Sequence, residues 1–245
     1  MRNIKKLYRS NYSGEDVAAE MSYKNFSWNV VTEYIPNVVT NTQTSNKAVV
    51  IGNGESRKSF DLNLLKNHKG GLLASGAVQT YGCNALYRDY APHFLVANGP
   101  EIVKEIADSG YCDTNIVYTN SAYLQEYPGK YYLIPQDPSW NAGALALYLA
   151  AFDGHTTVYF LGFDGIDTLN SGYNVYKSTN GYNKPSYGYS EEFQNQAMAK
   201  VFETYGDVDF VRVMPTDTFR MPEAWKFIAN VRQITFHDMA LEVDL

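Results

Sequence analysis

Asn141-Ala142-Gly143-Ala144-Leu145-Ala146-Leu147-Tyr148-Leu149-Ala150-Ala151-Phe152, then Gly154 and Thr156-Thr157-Val158-Tyr159-Phe160-Leu161-Gly162, is the stretch on which the fold turns. Residues 142–152 are almost wholly apolar, which predicts a helix buried on most of its sides. Asn141 is placed to cap its start and Gly154 to end it. The β-branched and aromatic run after it, closed by Gly162, reads as a buried strand. A buried helix feeding a buried strand is half of a parallel β–α–β arrangement.

The same alternation extends outward from this unit. Upstream, Ala48-Val49-Val50-Ile51 is a short apolar strand that runs into Gly52-Asn53-Gly54-Glu55-Ser56, with a helix expected near there or at Asp61. Residues 71–75, 93–98, 115–118 and 131–135 are further strand candidates, and Pro100 opens a helix through about Asp108. Downstream, residues 163–189 are rich in Gly, Asn, Ser and Tyr and form a long lid-like loop. Ser190 then caps a helix whose apolar face is Phe193, Ala197 and Val201 and which ends near Gly206. Residues 209–213 read as the last strand and 222–230 as a short terminal helix. The expected architecture is α/β: a mostly parallel, Rossmann-like sheet with helices on both faces. Residues 47–245 form one nucleotide-binding domain, and the polar residues 1–46 an N-terminal extension lying on it, with a short helix near 15–21.

Composition narrows the function. The chain has 245 residues, 45% hydrophobic and 19% charged, which is a globular balance. Its net charge of −6 argues against nucleic acid as a partner, although a local cluster of N–H dipoles can still hold a small anion. Two cysteines, Cys83 and Cys112, fit a reducing cytoplasm. The basic start, Met1 to Lys6, lacks the apolar run of a signal peptide or anchor, and no stretch reaches the ~18 apolar residues of a membrane span. A homo-oligomer is compatible with all of this.

Open parallel sheets bind ligands beyond the carboxyl ends of their strands, so the chemistry is expected there. Gly52, Asn53 and Gly54 allow close approach of a ligand, and their N–H groups with the Ser56 hydroxyl could hold a phosphate; the alternative is an ordinary tight turn. Asn84 and Asn98 follow later strands and could contact a base or ribose, or cap and turn the chain. Asn141, Ala142 and Gly143 begin the buried helix, where the dipole and unpaired N–H groups favour a phosphate. Asp164 could accept hydrogen bonds from the turn or a sugar, or join Asp167 at a magnesium ion. Tyr173 and Tyr176 lie on the lid-like loop, and Tyr189 precedes the capped helix. No His/Cys set has zinc spacing and no serine sits in a nucleophile elbow.

Val49-Val50-Ile51-Gly52-Asn53-Gly54-x-Ser56, then Cys83-Asn84-Ala85-x-Tyr87, then Asn98-Gly99-Pro100, then Gly143-Ala144-x-Ala146-x-x-x-Ala150, then Leu161-Gly162-Phe163-Asp164, in this order, resembles the bacterial sialyltransferases of glycosyltransferase family 42. It also resembles the wider DUF115 group, which includes an archaeal pterin diphosphokinase. The resemblance spans about residues 48–214. It implies a CMP-sugar-like donor held by Gly52, Asn53, Gly54, Asn84, Asn98 and the helix start at Asn141, with a small glycan as acceptor. Tyr173 and Tyr176 fall where that family has tyrosines that assist phosphate departure. Its catalytic histidine falls at Tyr189, in Gly188-Tyr189-Ser190, and a phenol of pKa ~10 is a poor general base at neutral pH. The expected function is a glycosyltransferase using a nucleotide-activated sugar. The alternatives are a magnesium-dependent, ATP-using diphosphokinase of the same fold and a non-catalytic nucleotide-binding protein.

Overall fold

The computed structural model describes residues 3–10, 16–24, 27–31, 45–67, 78–127, 130–135, 138–164, 174–182 and 191–245. Three strands come first: β1 (Asn3–Ser10), β2 (Asp16–Lys24) and β3 (Ser27–Val31). Eight more follow: β4 (Lys47–Ile51), β5 (Gln79–Cys83), β6 (Phe94–Val96), β7 (Ile116–Thr119), β8 (Tyr132–Leu133), β9 (Thr157–Leu161), β10 (Asp209–Met214) and β11 (Val231–Thr235). All join one sheet in the order β11-β10-β9-β4-β5-β6-β7-β8-β1-β2-β3. Neighbours from β11 to β1 are parallel, and β2 and β3 close the far edge as antiparallel strands.

The α-helices are α1 (Asn63–Asn67), α2 (Pro100–Asp108), α3 (Ser121–Glu126), α4 (Ala142–Phe152), α5 (Glu191–Thr204) and α6 (Phe236–Glu242). Short 3-10 turns occupy Glu55–Ser59, Asn84–Arg88 and Tyr111–Asp113. Successive residues of β4 serve opposite faces, so Val50 joins the core under α4 and α5 while Val49 and Ile51 join the core under α2 and α6. Because helices cover both faces, neither set of positions is polar. That is why the strand reads as a continuous apolar run.

α4 spans the residues expected of it, and every one except Gly143 is buried. It lies across β4, β5, β6 and β9, with α5 packed on its outer side. The Asn141 side chain accepts from the Ala144 N–H at 2.9 Å. Gly154, at φ +90°, turns the chain into β9 in the left-handed region that glycine favours. Asn141→Ala is expected to lower the unfolding free energy by about 1 kcal/mol, read from the denaturant midpoint.

Several expectations are corrected. Residues 16–24 are a strand, not a helix: backbone pairing with β1 from Asn3–Tyr23 to Ser10–Asp16 outweighs the helical leaning of Ala18-Ala19-Glu20-Met21. Residues 222–230 are turns rather than a helix. The last strand is β11, and α6 follows it behind a reciprocal cap between Thr235 and Asp238. That Thr-x-x-Asp pattern is an N-terminal helix signature legible in the sequence. The strand after the first helix is β5, while the candidate at 71–75 lies outside the described residues. So do Tyr173, Tyr189, Ser190 and Asp167; of the lid-like loop, residues 174–182 are described.

Candidate functional site

From β4 the chain winds through β5, β6 and β7 to β8, then returns under the sheet by α4 to β9 on the other side of β4. The strand order reverses between β4 and β9, which places a crevice at their carboxyl ends. Two glycine turns meet there back to back. Gly52 N–H donates to the Leu161 carbonyl and Gly54 N–H to the Gly162 carbonyl, each at 2.8 Å. A Cβ on Gly54 would stand 2.5 Å from the Asp164 carboxyl carbon. Asp164 in turn accepts from the Ser56 N–H at 2.8 Å and from the Ser56 hydroxyl. Gly52, Asn53 and Gly54 are all buried.

The expectation that this turn offers free N–H groups to a phosphate is therefore corrected. The Gly52, Gly54 and Ser56 N–H groups are already bonded inside the fold. Glycine is needed because two backbones touch. Arg212 of β10 secures the same junction: it is 3% exposed, and its guanidinium donates to the Phe163 carbonyl at 2.9 Å and the Arg220 carbonyl at 2.8 Å. Burial lowers its pKa to about 10, with the nearby Asp164 charge acting in the other direction.

The asparagines do converge. Asn53 at the end of β4 donates its amide to the Cys83 carbonyl at 3.0 Å. Asn84, just after β5, has φ +50°, a conformation asparagine tolerates better than most residues. Its amide oxygen accepts from the Asn98 N–H at 2.9 Å, just after β6. Asn98 donates its own amide to the Trp140 carbonyl at 2.9 Å, beside the α4 start at Asn141. Asn120, just after β7, donates to the Asn98 side chain at 3.1 Å. A row of uncharged amides thus crosses the ends of four adjacent parallel strands and reaches the start of α4. Asn120 was not singled out in the sequence, although it stands after its strand as Asn84 and Asn98 stand after theirs. Ala142 and Gly143 form the first turn of α4, and a Cβ on Gly143 would lie 3.0 Å from the Phe163 ring. Cys83 is buried and its thiol pKa is pushed up to about 12, so it is not a nucleophile there.

Residues 174–182 form a compact strap over this edge. Asn174 bridges Gly54, and the Val175 N–H donates to the Asn53 carbonyl at 2.9 Å. The Arg88 guanidinium donates to Thr179 Oγ1 at 2.7 Å and the Asn180 carbonyl at 3.0 Å. Glu105 pairs with Arg88 at 2.6 Å, and that hydrogen bond draws the Glu105 pKa down to about 2. Tyr176 is 5% exposed; its hydroxyl donates to Asp89 at 2.6 Å and accepts from Arg57 at 2.8 Å. Burial, then the Asp89 hydrogen bond, keep that phenol protonated. Tyr182 reaches inward to the Asn53 amide at 3.2 Å, and its pKa rises to about 12 through burial.

Among the described residues, a cleft of about 420 Å³ lined by Arg57, Lys58, Lys66, Asp89 and Tyr90 lies beside the first glycine turn and not on the amide row. A second, of about 230 Å³, borders the starts of β7 and β8, the opposite edge of the sheet. No group of three or more His, Cys, Asp or Glu among the described residues could hold a metal ion. No helix among them is long and apolar enough to cross a membrane.

The sheet order and the amide row define an open α/β protein with its candidate ligand site at the strand switch. No protein-family model matches the chain, and no curated protein matches it in sequence. Among solved structures, the sialyltransferase CstII from Campylobacter jejuni, in complex with a substrate analogue, cytidine-5'-monophosphate, is similar. The alignment covers 70% of this chain and 81% of that one, at 14% identity and a TM-score of 0.42.

Proposed function

We propose that the chain binds a nucleotide-activated sugar of the CMP-sugar type along the amide row and transfers the sugar to a small acceptor hydroxyl. The observation that carries this reading is the connected set Asn53, Asn84, Asn98 and Asn120, with Asn141 beside it. Neutral amides offer paired donors and acceptors, which suits a base and a ribose better than a row of charges. The start of α4, with the Ala142 and Gly143 N–H groups, suits the phosphate. In this reading the acceptor oxygen attacks the anomeric carbon, the bond to the phosphate oxygen breaks, the nucleotide leaves with the electron pair, and the acceptor's proton passes to solvent. Tyr173 and Tyr189 are the candidates for steadying the leaving phosphate and orienting the acceptor.

A second reading, a nucleotide-binding protein without turnover, is favoured by Tyr176, whose hydroxyl is committed to Arg57 and Asp89. The magnesium-dependent reading is weaker, because each oxygen of the Asp164 carboxylate already holds Ser56.

The test is calorimetric titration with CMP, a CMP-sugar and ATP, the last with and without magnesium, on the unaltered protein and Asn84→Gly. Glycine suits φ +50°, so the backbone is kept while the side chain is lost. CMP is expected to bind about tenfold more weakly to Asn84→Gly, the value of one ligand hydrogen bond, with stability changed by no more than about 1 kcal/mol. Release of CMP from the sugar donor would support transfer, and tight binding without release the second reading. Failure of every nucleotide to bind at millimolar concentration would end the proposal.

A further inference from the structure

The Tyr182 hydroxyl occupies a cradle of N–H donors. Asn53 Nδ2 donates to it at 3.2 Å, and the Asn84 side chain and the Ala85 backbone N–H lie nearby without closing a full hydrogen bond to it. These groups come from the ends of β4 and β5, at the β4 end of the amide row. A phenol oxygen also carries a proton, which a set of N–H donors cannot accept, so a pure acceptor oxygen suits this place better.

Asn53 adds a second observation. It is 8% exposed, and its amide oxygen is buried with no hydrogen-bond partner. Exchanging its amide nitrogen and oxygen would not repair this, because the oxygen would then face the Cys83 carbonyl, which now accepts at 3.0 Å. A buried acceptor left unpaired is costly, and such groups call for an explanation. The cradle wants an acceptor oxygen, and beside it Asn53 wants a donor. The Watson–Crick edge of cytosine carries a carbonyl oxygen and an amino group, on either side of the unprotonated ring N3. A phosphate oxygen would fill the cradle but would face the Asn53 oxygen with a like partial charge.

The strap that delivers Tyr182 is held from outside the crevice. Arg88 grips Thr179 and Asn180, and a Cβ on Gly181, at φ +75°, would stand 2.6 Å from Ile102. Among the described residues, its backbone bonds to the crevice side are at its start, the Gly54–Asn174 bridge and Val175 N–H to the Asn53 carbonyl. The Tyr182 end is tied to the rest of the strap by Tyr182 N–H to the Thr179 carbonyl at 2.9 Å and Ser178 N–H to the Tyr182 carbonyl at 3.1 Å, so leaving the cradle breaks those two bonds while Arg88 keeps its hold.

Resting on the nucleotide reading above, we infer that the cradle of Asn53, Asn84 and the Ala85 N–H is the nucleobase subsite, and that Tyr182 fills it as an internal stand-in which the base displaces. Ligand and docked strap are then mutually exclusive. If the docked state holds 90–99% of the population, apparent affinity is reduced about 10- to 100-fold.

The experiment titrates cytidine, CMP and inorganic phosphate into the unaltered protein, Tyr182→Ala and Tyr182→Phe. It also follows hydrogen exchange at the Val175 and Tyr182 amides with and without ligand. Tyr182→Ala is expected to bind cytidine and CMP at least tenfold more tightly than the unaltered protein. Exchange at both amides of the unaltered protein is expected to speed up when CMP binds. Tighter phosphate binding to Tyr182→Ala with no gain for cytidine overturns the base assignment. Weaker nucleotide binding to Tyr182→Ala, with slower strap exchange on binding, makes Tyr182 a ligand contact; that overturns the displacement while leaving the nucleotide reading in place. Absence of nucleotide binding to all three proteins ends that reading and this inference with it. If Tyr182→Ala does not fold, Tyr182→Phe and the exchange data on the unaltered protein decide in the same directions.

Discussion

Gly52→Ala is expected to cost about 4 kcal/mol, a large share of the roughly 5–15 kcal/mol that holds a typical domain folded. The added Cβ would stand 2.4 Å from the Gly162 carbonyl oxygen and 3.0 Å from the Phe163 ring. The ring could give way, but the carbonyl cannot do so cheaply. Gly162 O accepts from Gly54 N–H, Leu161 O accepts from Gly52 N–H, and Phe163 O is held by Arg212. Relief requires β4 and β9 to part at their carboxyl ends. Overpacking of this kind costs about 1–3 kcal/mol, and each hydrogen bond lost adds about 0.5–1.5. Gly206→Ala is the control: nothing lies within 4 Å of its added Cβ, and a change within about 0.5 kcal/mol is expected. The measurement is the urea midpoint of both variants. Equal midpoints would show that the two turns are not locked together as described.

The second large effect is acid sensitivity set by His155. This residue is fully buried where the chain enters β9, far from the amide row along the strands. Its Nδ1 lies 2.7 Å from the Ser45 carbonyl, which only accepts, so that nitrogen carries the proton. Its Nε2 lies 3.0 Å from the Tyr81 hydroxyl, which also bonds Asp153 at 2.7 Å. Burial lowers the imidazole pKa from 6.5 to about 4. Below pH 6.5 the unfolded chain therefore takes up a proton that the folded chain refuses. The stability is complete above about pH 6.5 and is lost as the pH falls towards 4. At 1.36 kcal/mol per pH unit the loss is about 3 kcal/mol. Unfolding free energies at pH 7.5, 5.5 and 4.5 should fall steeply in the unaltered protein and much less in His155→Gln. A rise in stability on acidification, confined to the unaltered protein, would overturn this. It would mean that Asp153, acting through Tyr81, holds the imidazole charged.

The strand–helix–strand rhythm was legible because each element states its own period. α4 is apolar all round because it lies between a sheet and α5, and β4 and β9 are apolar at every position because both their faces are covered. Those patterns are local, and they fixed the α/β class, the parallel body of the sheet and the edge at which its loops gather. The placement of Asn84, Asn98 and Asn141 near that edge follows from their position after a strand or before a helix. Asn120 and the Thr235–Asp238 cap obey equally local rules.

What stood outside the sequence's reach concerns partners brought together from distant parts of the chain. Whether an N–H at Gly52 or Gly54 faces a ligand or a carbonyl depends on Leu161 and Gly162, more than a hundred residues away. The same holds for Ser56 with Asp164, for Tyr176 with Asp89, and for Tyr182 in the cradle of Asn53 and Asn84. A hydrogen bond needs its donor and acceptor within about 3 Å, and no local pattern encodes that distance across a fold. Residue type and spacing therefore located the edge where chemistry can occur, and only the tertiary packing decided which polar groups there are already spent and which are still available.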